Sequence, residues 1–462
     1  MIFVKFSASN IIGLVHKYNV PGPRYTSYPT ALQLTDSFDQ GLIEENCSER
    51  RTEPRQISLY FHIPFCFSLC WYCGCTKIIT TNQDRGDIYL GYLEKEMLLL
   101  KETLHPESDV HQIHFGGGTP TFLSPEQLRK LGELIRSTFT IHQDAEFSVE
   151  IDPRRVGDDH IIALKEIGCN RASLGVQDTN EEVQQAIHRI QPFGLTKNVA
   201  ELLRKHGISH INVDLIYGLP KQTIASFKKS IDDVLSMDPD RFAIYSYAHI
   251  PSVMPSQKLL NESDLPSTEE KLSLLVFAVN YLTRAGYTYI GMDHFAKEGD
   301  ELSIALREGT LHRNFQGYST RAELEMIGLG MSSISQNEDL YTQNEKNLSS
   351  YYELLDSGKL PVKKVLRLSN EDKIRKKVIM EIMCRGEINY DSFLNETGLI
   401  FHDKFHDELE RLKEPESDGL LHLMNNGFRI TSTGRLFLRN IAMVFDDYLT
   451  QKHHKSAYSK TV

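Results

Sequence analysis

Between residues 57 and 247, short apolar or β-branched runs alternate with longer segments in which apolar residues recur at helical spacing. The strand candidates are residues 57–63, 112–115, 147–151, 171–176, 211–216 and 242–247. The helix candidates between them are residues 89–102, 125–137, 160–167, 195–206 and 224–237. Short continuous apolar runs favour buried strands, whereas a period of about 3.6 residues favours a helix. Strict alternation of the two predicts right-handed βαβ units and a parallel α/β sheet.

One of the predicted helices carries a recognisable start signal, the sequence Ser124-Pro125-Glu126-Gln127. A serine suits the N-cap position and a proline suits the first helical turn. Gln127 stands where its side chain can reach back to the N-cap backbone. We therefore expect this helix to begin at Pro125.

The pattern changes on both sides of the repeat. The early segment VPGPRYTSYPTA contains three prolines, which exclude a helix interior and predict an arm packed on the main domain. After residue 350 the chain becomes helical and charged, and the segment DGLLHLMNNGFRITSTG alternates like a hairpin with an Asn-Gly turn. The sequence thus predicts an arm over residues 1–55, an α/β domain with an extension over residues 56–349, and a small helical, winged-helix-like domain over residues 350–462.

Polar and glycine residues follow each predicted strand at its carboxyl end. They are Cys66 to Cys75 after the first strand, GGGTPT after the second, Glu150 and Asp152 at the third, Gln177 and Asp178 at the fourth, Asp214 and YGLP at the fifth, and YAHIPS at the sixth. In barrels and in open parallel sheets, the loops at these strand ends converge on one mouth. The sequence therefore predicts a functional site there, although Asp152 and Asp178 have the alternative role of capping the next loops.

Composition and charge narrow the class of protein. With 40% hydrophobic and 24% charged residues among 462, the chain resembles soluble globular proteins, and no apolar run reaches the length of a membrane span. Lys5 and the polar residues 7–10 interrupt the apolar N-terminus before a signal-peptide core forms, which favours a cytoplasmic protein. A formal net charge of −11 argues against a nucleic-acid partner, because such partners normally require a basic face.

Four of the seven cysteines lie between Cys66 and Cys75, a layout that favours metal or redox chemistry over a disulfide framework. Cys66, Cys70 and Cys73 have the spacing C-x3-C-x2-C. Three thiolates on one loop can hold an iron–sulfur cube and leave one iron open to a ligand from outside the protein. Zinc bound by all four cysteines is an alternative, although zinc sites usually combine two separated segments. A catalytic thiol is a further alternative.

The cysteine spacing resembles the signature of the radical S-adenosylmethionine (SAM) enzymes, and GGGTP after the second strand is similar to their SAM-binding loop. Glycines in such a loop permit a close backbone approach that a Cβ would block. The resemblance implies a partial, three-quarter parallel barrel of six βα units. It also implies one [4Fe–4S] cluster on Cys66, Cys70 and Cys73, with SAM on the open iron and one-electron cleavage of SAM to methionine and a 5′-deoxyadenosyl radical.

Further blocks of sequence narrow the resemblance to the oxygen-independent coproporphyrinogen III oxidase, or dehydrogenase, family. These blocks are GPRYTSYPTA in the arm, SLYFHIPFC, the fourth cysteine in CGC, GMDHFA at residues 291–296 and LHRNFQGY at residues 311–318. The resemblance implies oxidative decarboxylation of two propionate side chains of coproporphyrinogen III to vinyl groups, giving protoporphyrinogen IX for haem synthesis without oxygen. It also implies an electron donor and a terminal electron acceptor, neither of which the sequence identifies, and a monomer.

The resemblance assigns residues of this chain to the cofactors. Around the cluster-bound SAM it places Tyr60, Gly117, Glu150 and Ile334, and around a second SAM molecule it places Tyr72, Gly118, Thr119, Gln177, Arg189, Asp214 and Ala248. A glutamate suits the hydroxyl groups of a ribose, and an arginine suits a carboxylate in bidentate geometry. No side chain is assigned a catalytic role beyond the cluster and SAM.

Five residues keep two interpretations each. His62 lies mid-strand and either faces the cluster or is a hydrogen-bonded core histidine. Arg24 and Arg313 either bind the propionates of the substrate or are surface arginines. The resemblance does not make Cys75 a cluster ligand, so its role and that of Trp71 stay open beside simple packing.

Two other classes of protein stay open from the sequence alone. A haem chaperone of the same superfamily shares the cluster motif but generally lacks the PGPRYTSYPTA arm and the CGC triplet. A zinc-stabilised interaction module with a degenerate barrel would be colourless, whereas an iron–sulfur protein is brown.

Overall fold

Within the described part of the chain, twelve strands form one continuous open sheet. The structure is a computed structural model, and it describes residues 8–37, 39–322, 324–449 and 458–461. Two helices precede the sheet: α1 Ala8–Tyr18 and α2 Gly41–Arg50. None of the helices in the described ranges is long and apolar enough to cross a bilayer.

The centre of the sheet is the predicted βα repeat. Its elements are β1 Gln56–Ile63, β2 Phe65–Cys66, β3 Ile78–Ile79, α3 Asp84–Lys101, β4 Asp109–Gly117, α4 Pro125–Thr138, β5 Thr140–Ile151, α5 Asp158–Glu166, β6 Arg171–Gln177, α6 Glu181–Ala186, α7 Phe193–Lys205, β7 His210–Tyr217, α8 Ile224–Leu235 and β8 Arg241–Ser246. Strands β1, β4, β5, β6, β7 and β8 are neighbours in this order and pair in parallel. The predicted parallel α/β core is therefore confirmed.

Helix α4 shows how the local sequence builds these units. The side chain of Ser124 accepts a hydrogen bond from the Gln127 backbone N–H, and the Gln127 side chain accepts one from the Ser124 N–H, as predicted. The helix turns Leu128, Leu131 and Ile135 into the core. Burying each of these side chains stabilises the fold by roughly 1.5–3 kcal/mol, so packing outweighs the cap in holding the helix on the sheet.

An extension lengthens the sheet at both edges. Its elements are α9 Thr268–Arg284, β9 Tyr287–Gly291, β10 His294–Lys297, α10 Glu301–Glu308, β11 His312–Asn314, β12 Gly317–Ser319, β13 Glu325–Leu329, β14 Ile334–Gln336, β15 Leu340–Asn344, α11 Leu348–Asp356 and β16 Val362–Arg367. Strands β10 and β9 add antiparallel to β8, whereas β13 adds parallel to β1 and leads on to β14, β15 and β16. Strands β9 and β16 stay at opposite edges, which makes the barrel partial.

The extension moves the predicted border of the C-terminal domain. Strand β16 ends at Arg367 and pairs with β15, so the sheet continues beyond residue 350. The predicted border fell inside this extension because α11, which precedes β16, has the helical pattern of the region that follows. The sheet ends at Arg367, and the next helix begins at Asn370.

The C-terminal domain combines helices with a small sheet. Its elements are α12 Asn370–Arg385, β17 Glu387–Asn389, α13 Tyr390–Thr397, α14 Phe401–Lys404, α15 His406–Ser417, β18 Leu421–Met424, β19 Gly427–Ile430 and α16 Leu438–Met443. Strands β18 and β19 form the predicted hairpin, and β17 pairs with β19 to complete three strands in the order β17-β19-β18. The predicted helical domain with a hairpin is therefore present, and its helices and hairpin follow one another as in a winged-helix domain.

The two ends of the chain meet in what we call the clasp, formed by residues 20–22 and 459–461. An antiparallel bridge joins Pro21 to Lys460. The buried guanidinium of Arg439 lies between the two segments and donates to carbonyl groups of both. The arm is thus packed on the main domain, as its prolines predicted, and the C-terminal end of the chain fixes it there.

Candidate active site

A cavity of about 340 Å³ opens at the carboxyl ends of the parallel strands. Of the fourteen residues that the sequence assigned to the cluster and SAM, eleven line it: Cys66, Cys70, Cys73, Tyr72, Gly117, Gly118, Thr119, Glu150, Gln177, Arg189 and Asp214. They come from five successive strands and the loops that follow them, and the parallel order of these strands brings their ends together. The predicted convergence on one mouth is therefore present in the molecule.

Tyr60 and Ile334 lie behind the cavity wall. The ring of Tyr60 stacks on His114, with 5.8 Å between ring centroids. Tyr60 pairs with Gly328 across the β1–β13 ladder, and a Cβ on Gly328 would lie 2.6 Å from the carbonyl oxygen of Ile334. These two residues are therefore neighbours at one edge of the site.

Ala248 also lies outside the cavity lining, but one side chain connects it to the site. The amide nitrogen of Gln257 donates to the Ala248 carbonyl at 3.0 Å and to the Tyr72 carbonyl at 3.2 Å. Gln257 is buried, so this bridge fixes the loop after β8 against the cysteine loop.

The three predicted cluster ligands are free thiols on one loop. The Cys66 sulfur lies 3.3 Å from the hydroxyl oxygen of Thr119, and burial raises the pKa of this thiol to about 11. The Cys70 sulfur accepts hydrogen bonds from Arg189 at 3.5 Å and from Arg154 at 3.6 Å. Two guanidinium groups therefore contact a sulfur that the sequence predicts to bind the cluster.

Cys75 lies beside a predicted ligand. A hydrogen bond with Cys75 lowers the pKa of Cys73 to about 6 and raises that of Cys75, so Cys75 is the thiol donor and Cys73 the acceptor. Lys77 donates to the Cys73 carbonyl at 3.0 Å and fixes the same turn. The position of Cys75 suits a hydrogen-bond donor to a ligand sulfur.

The spacing of the sulfurs does not suit a single metal ion. In the described ranges, the one group of three candidate ligands whose donor atoms all lie within 4.8 Å of one another contains no cysteine. Tetrahedral zinc, with Zn–S bonds of about 2.3 Å, requires sulfurs about 4 Å apart, whereas a cluster separates them more widely. The loop therefore fits a cluster better than it fits zinc.

The group that does meet this distance is Asp109, His111 and His142, at the opposite, amino-terminal end of β4 and β5. The two imidazole rings stack, with centroids 4.2 Å apart. Nδ1 of His142 accepts a hydrogen bond from the Asp144 N–H at 3.2 Å, whereas a metal-bound histidine normally donates from its second nitrogen. This arrangement suits a hydrogen-bonded histidine stack.

The glycine loop after β4 packs so closely against its neighbours that it has no room for a side chain. Gly117 has a φ of +112°, and its N–H donates to Glu150 at 3.3 Å. A Cβ on Gly118 would lie 2.6 Å from the Pro64 carbonyl oxygen. The two backbones therefore touch directly, which leaves the cavity side of the loop open to a ligand.

A turn between α6 and α7 holds the cysteine loop from outside. The Trp71 N–H donates to the Ile187 carbonyl at 3.1 Å, and the Trp71 ring stacks on His188 with 5.1 Å between centroids. The ring nitrogen Nδ1 of His188 lies 2.8 Å from the Leu69 carbonyl, to which it donates. His188 has a φ of +55°, a strained value that these contacts maintain. Trp71 thus anchors the loop that carries the ligands.

Around the second predicted SAM site, one carboxylate faces two guanidinium groups. Asp152 accepts from Arg154 at 2.6 Å and from Arg189 at 3.3 Å. Burial opposes its ionisation, but the two guanidinium groups outweigh burial and lower the pKa of Asp152 to about 2. Arg189 is buried, and its Nε has no hydrogen-bond partner. An unsatisfied cationic donor beside the cavity is a natural partner for an anionic group of a ligand.

Asp214 lies deeper in the same cavity. Its carboxyl group accepts from Ser173 at 3.0 Å and from Asn212 at 2.8 Å. Burial, and then the nearby charge of Glu150, raise the pKa of Asp214 to about 7. This carboxyl group can therefore donate or accept a hydrogen bond near neutral pH.

His62 lies behind the cavity, next to Tyr60 on the same strand. Its Nδ1 lies 3.2 Å from the Tyr60 hydroxyl, and its Nε2 lies 3.0 Å from the Thr76 carbonyl. Burial lowers the pKa of His62, so the ring is neutral at physiological pH. Of its two interpretations, these contacts favour the hydrogen-bonded core histidine.

The two arginines assigned to the propionates have different surroundings. Arg24 forms an ion pair with Asp293 and lies 5.7 Å from the centroid of the Tyr245 ring, which lines the cavity. Arg313 is 3% exposed and donates to the carbonyls of Tyr25 and Arg24. The structure therefore uses Arg313 to hold the arm and places Arg24 near the mouth.

Other residues of the site carry little signal in the sequence. Arg154, His188 and Gln257 reach the cavity or the cysteine loop from separate connecting segments, and Tyr245 reaches the cavity from β8. Arg154 has a weak signal, since it follows Asp152 by two residues at a strand end. The contact of Gln257 with Tyr72 joins residues 185 positions apart, which no local pattern encodes.

Comparison with known proteins identifies the class. Residues 60–234 match the Radical SAM superfamily model, and residues 368–437 match the HemN C-terminal domain model. Together with the partial barrel and the three-cysteine cavity, these matches define a radical SAM enzyme.

The relatives identify the family. The chain is 44% identical over 451 residues to the oxygen-independent coproporphyrinogen III oxidase of Helicobacter pylori (strain J99), covering 96% of this chain and 98% of the relative. It is 41% identical over 452 residues to the Escherichia coli (strain K12) protein of the same description, covering 98% of each. A solved structure of coproporphyrinogen III oxidase (HemN) from Escherichia coli, described as a radical SAM enzyme, superposes with a TM-score of 0.90 at 40% identity, over 95% of this chain and 98% of the other. The chain belongs to the oxygen-independent coproporphyrinogen III oxidase family.

Proposed function

We infer that this chain is an oxygen-independent coproporphyrinogen III oxidase. It catalyses the oxidative decarboxylation of two propionate side chains of coproporphyrinogen III to vinyl groups, and the product is protoporphyrinogen IX of anaerobic haem biosynthesis. The observation that carries this inference is the three-cysteine cavity at the carboxyl ends of the partial barrel, in a chain related to the family over nearly its full length.

The cavity fits a [4Fe–4S] cluster and SAM. Cys66, Cys70 and Cys73 would hold the cluster, and the bare backbone at Gly117 and Gly118 leaves room for SAM beside them. When bound, the cluster and SAM supply one-electron cleavage of SAM and a radical that removes hydrogen from a propionate. The chain itself holds the ligands, orients them and limits access of water.

Two SAM molecules form part of the proposal. Tyr60, Gly117, Glu150 and Ile334 would surround the first. Tyr72, Gly118, Thr119, Gln177, Arg189, Asp214 and Ala248 would surround the second. In support, the partnerless Nε of Arg189 provides a donor for a SAM carboxylate. Asp214, whose pKa is about 7, provides a proton donor or acceptor for polar groups of the same ligand.

The proposal also covers the domain organisation of the chain and its electron-transfer partners. We propose three units, which are the arm over residues 1–55, the partial barrel with its extension, and the helical C-terminal domain. The sequence predicts the border between the last two at residue 350, and the pairing of β16 with β15 supports a proposed border at residue 368. An external electron donor, a terminal electron acceptor, a monomeric state and a cytoplasmic location complete the proposal, on the strength of the sequence and the family resemblance.

The direct test is an anaerobic assay in which reconstituted protein is first reduced with dithionite and then mixed with SAM, coproporphyrinogen III and a one-electron acceptor. The expected products are protoporphyrinogen IX, carbon dioxide, methionine and 5′-deoxyadenosine. SAM cleavage by an intact cluster without any vinyl product would contradict the substrate assignment and leave the class of enzyme intact. Tight haem binding without turnover would instead favour the haem chaperone.

The ligand assignment has its own test. Changing Cys66, Cys70 or Cys73 to serine should remove the brown colour and the activity, because a serine hydroxyl is a poor cluster ligand. Cys169→Ser is a matched control, since Cys169 is buried in the core away from the cavity. Iron retained at the wild-type level in any of the three variants would contradict the assignment.

A further inference from the structure

A second cavity, of about 360 Å³, lies outside the cluster cavity and opens to solvent. Its lining residues are Phe67, Ser68, Thr119, Thr121, Asp152, Arg154, Arg155, His188 and Ile190. Four of them, Ser68, Thr119, Asp152 and Arg154, also line the cluster cavity. The two cavities are therefore adjacent.

Aromatic and cationic groups connect this outer cavity with a cluster ligand. The exposed ring of His188 stacks on Trp71, which directly follows Cys70 in the chain. Arg154, in the shared wall, donates to the Cys70 sulfur at 3.6 Å. A group bound in the outer cavity would thus be connected to Cys70, a predicted cluster ligand, either through Arg154 or through His188 and Trp71.

The rim of the outer cavity combines exposed apolar and cationic side chains, as protein-docking surfaces do. Its charged lining residues are Arg154, Arg155 and Asp152, so the rim is formally positive on a chain whose net charge is −11. The exposed guanidinium of Arg155 lies 4.8 Å from the Phe67 ring centroid, and Ile190 is 52% exposed. Apolar groups beside cations fit an acidic protein partner, since charge complementarity steers association and the apolar groups exclude water.

We propose that this face, defined by Phe67, Arg154, Arg155, His188 and Ile190, is where a small acidic one-electron carrier protein docks and delivers its electron. The inference rests on the proposed function, because only a reducible cluster gives the face a purpose. The carrier loses one electron, for example as a flavin hydroquinone that becomes the semiquinone, and the cluster gains that electron. No bond forms between the two proteins.

The test compares a protein reductant with a small one on the reconstituted enzyme. The probe is a bacterial flavodoxin reduced to its hydroquinone, and the small reductant is dithionite. The variants are Arg155→Glu and Ile190→Asp, and the matched controls are Arg284→Glu and Met424→Asp, which are exposed on other faces. The measurements are the affinity of flavodoxin for the enzyme by calorimetry and the rate of cluster bleaching by stopped flow.

We expect Arg155→Glu to weaken binding and to slow reduction by flavodoxin about tenfold at low salt, with a smaller effect at high salt. Ile190→Asp should also slow it several-fold, and part of this effect should persist at high salt because an apolar contact is lost as well as a charge added. Reduction by dithionite, and product formation with dithionite, should match the wild type in both variants, and neither control should change any rate.

Three results would overturn the proposal. One is unchanged flavodoxin affinity and rate in both variants, and another is equal slowing with dithionite, which would indicate damage to the site. The third is a failure of reduced flavodoxin to bind or reduce the wild-type enzyme. None of these depends on product identity, whereas absence of vinyl product with dithionite would contradict the proposed function alone.

Discussion

At the scale of single residues, we expect the thiol of Cys75 to tune the cluster without binding it. Its hydrogen bond to Cys73 places a donor on a ligand sulfur. Hydrogen bonds to ligand sulfurs stabilise the reduced, more negative cluster and so raise its reduction potential.

We therefore expect Cys75→Ala to retain about four irons per chain but to have a lower cluster potential than the wild type. Iron analysis and a redox titration followed by electron paramagnetic resonance measure the two quantities. Loss of the cluster in this variant would mean that Cys75 is itself a ligand.

Glu96 is a buried carboxyl group on α3, away from the cysteines. It accepts hydrogen bonds from the Gly330 N–H at 2.7 Å, from Asn344 at 2.6 Å and from the Tyr351 hydroxyl at 2.6 Å. Burial outweighs these three bonds and raises the pKa of Glu96 to about 7. The folded protein therefore binds this proton more tightly than the unfolded chain does.

The stability contributed by this proton is present below about pH 4.5 and is lost as the pH rises through about 7. The free energy of unfolding of the wild type, relative to Glu96→Gln, should fall by on the order of 3 kcal/mol across this window. Chemical denaturation at a series of pH values measures the difference. Glu94→Gln, an exposed change on the same helix, should show no such trend. A pH-independent difference for Glu96→Gln would place its folded pKa near the ordinary value.

At the scale of elements, the cavity depends on two backbones in direct contact, the loop after β4 and the segment between β1 and β2. A Cβ at Gly118 would lie 2.6 Å from the carbonyl oxygen of Pro64 and 3.0 Å from that of Phe65. Neither carbonyl belongs to a flexible side chain, so relief of the clash must move one loop against the other.

Gly118→Ala should therefore weaken SAM binding at least tenfold and destabilise the fold by about 1–3 kcal/mol. Equilibrium dialysis with SAM and chemical denaturation are the measurements. Gly91→Ala provides the contrast, because a Cβ there meets nothing within 4 Å in the middle of α3. It should stabilise the fold by roughly 0.5–1 kcal/mol and leave SAM binding unchanged. Equal SAM affinity in both variants would show that the loop tolerates displacement.

Elements also show where prediction from sequence succeeds. The six central strands were predicted because each is a short apolar run between amphipathic helices, and their pairing order follows the chain. The strands of the extension were not predicted. Several, such as Ile334–Gln336, have only three residues and pair antiparallel with neighbours whose order no periodicity indicates.

For the site, too, local sequence signals predict position well and tertiary contacts are not predictable. The cysteine spacing and the residues at strand ends are local signals, and they converge on one cavity. Positions fixed by tertiary contacts were not predictable in this way. The sequence leaves Arg313 available for a substrate, but the side chain is buried and two of its three nitrogens donate to backbone carbonyls of the arm. The contact of His188 with Leu69 spans 119 residues.

At the scale of the whole molecule, the clasp joins the two ends of the chain. Arg439 donates to the Pro23 carbonyl at 2.8 Å and to the Lys460 carbonyl at 3.1 Å, and it is 5% exposed. A buried guanidinium that serves both segments makes the position of the arm dependent on the C-terminal end. Arg24, on this arm, lies next to the cavity residue Tyr245.

Arg439→Met should release the arm without removing the cluster. Loss of the charged hydrogen bonds should raise the rate of tryptic cleavage after Arg24 at least tenfold, since cleavage follows local opening. Mass spectrometry of short digests measures this rate, and iron content checks the cluster. Arg435→Met, which removes only longer contacts at 3.4–3.5 Å outside the clasp, should leave the cleavage rate unchanged. A cleavage rate in Arg439→Met equal to that of the wild type would show that the arm holds without it.

The clasp also has a consequence for the order of events during synthesis of the protein. Residues 459–461, the partner of the arm in the clasp, are synthesised after both the arm and the barrel. The cysteine loop and the strand ends that form the cavity, up to Tyr245, are made well before residues 459–461. During that interval the arm is not yet held by the clasp. A cluster inserted before the clasp forms would therefore enter a chain whose arm is still free to move.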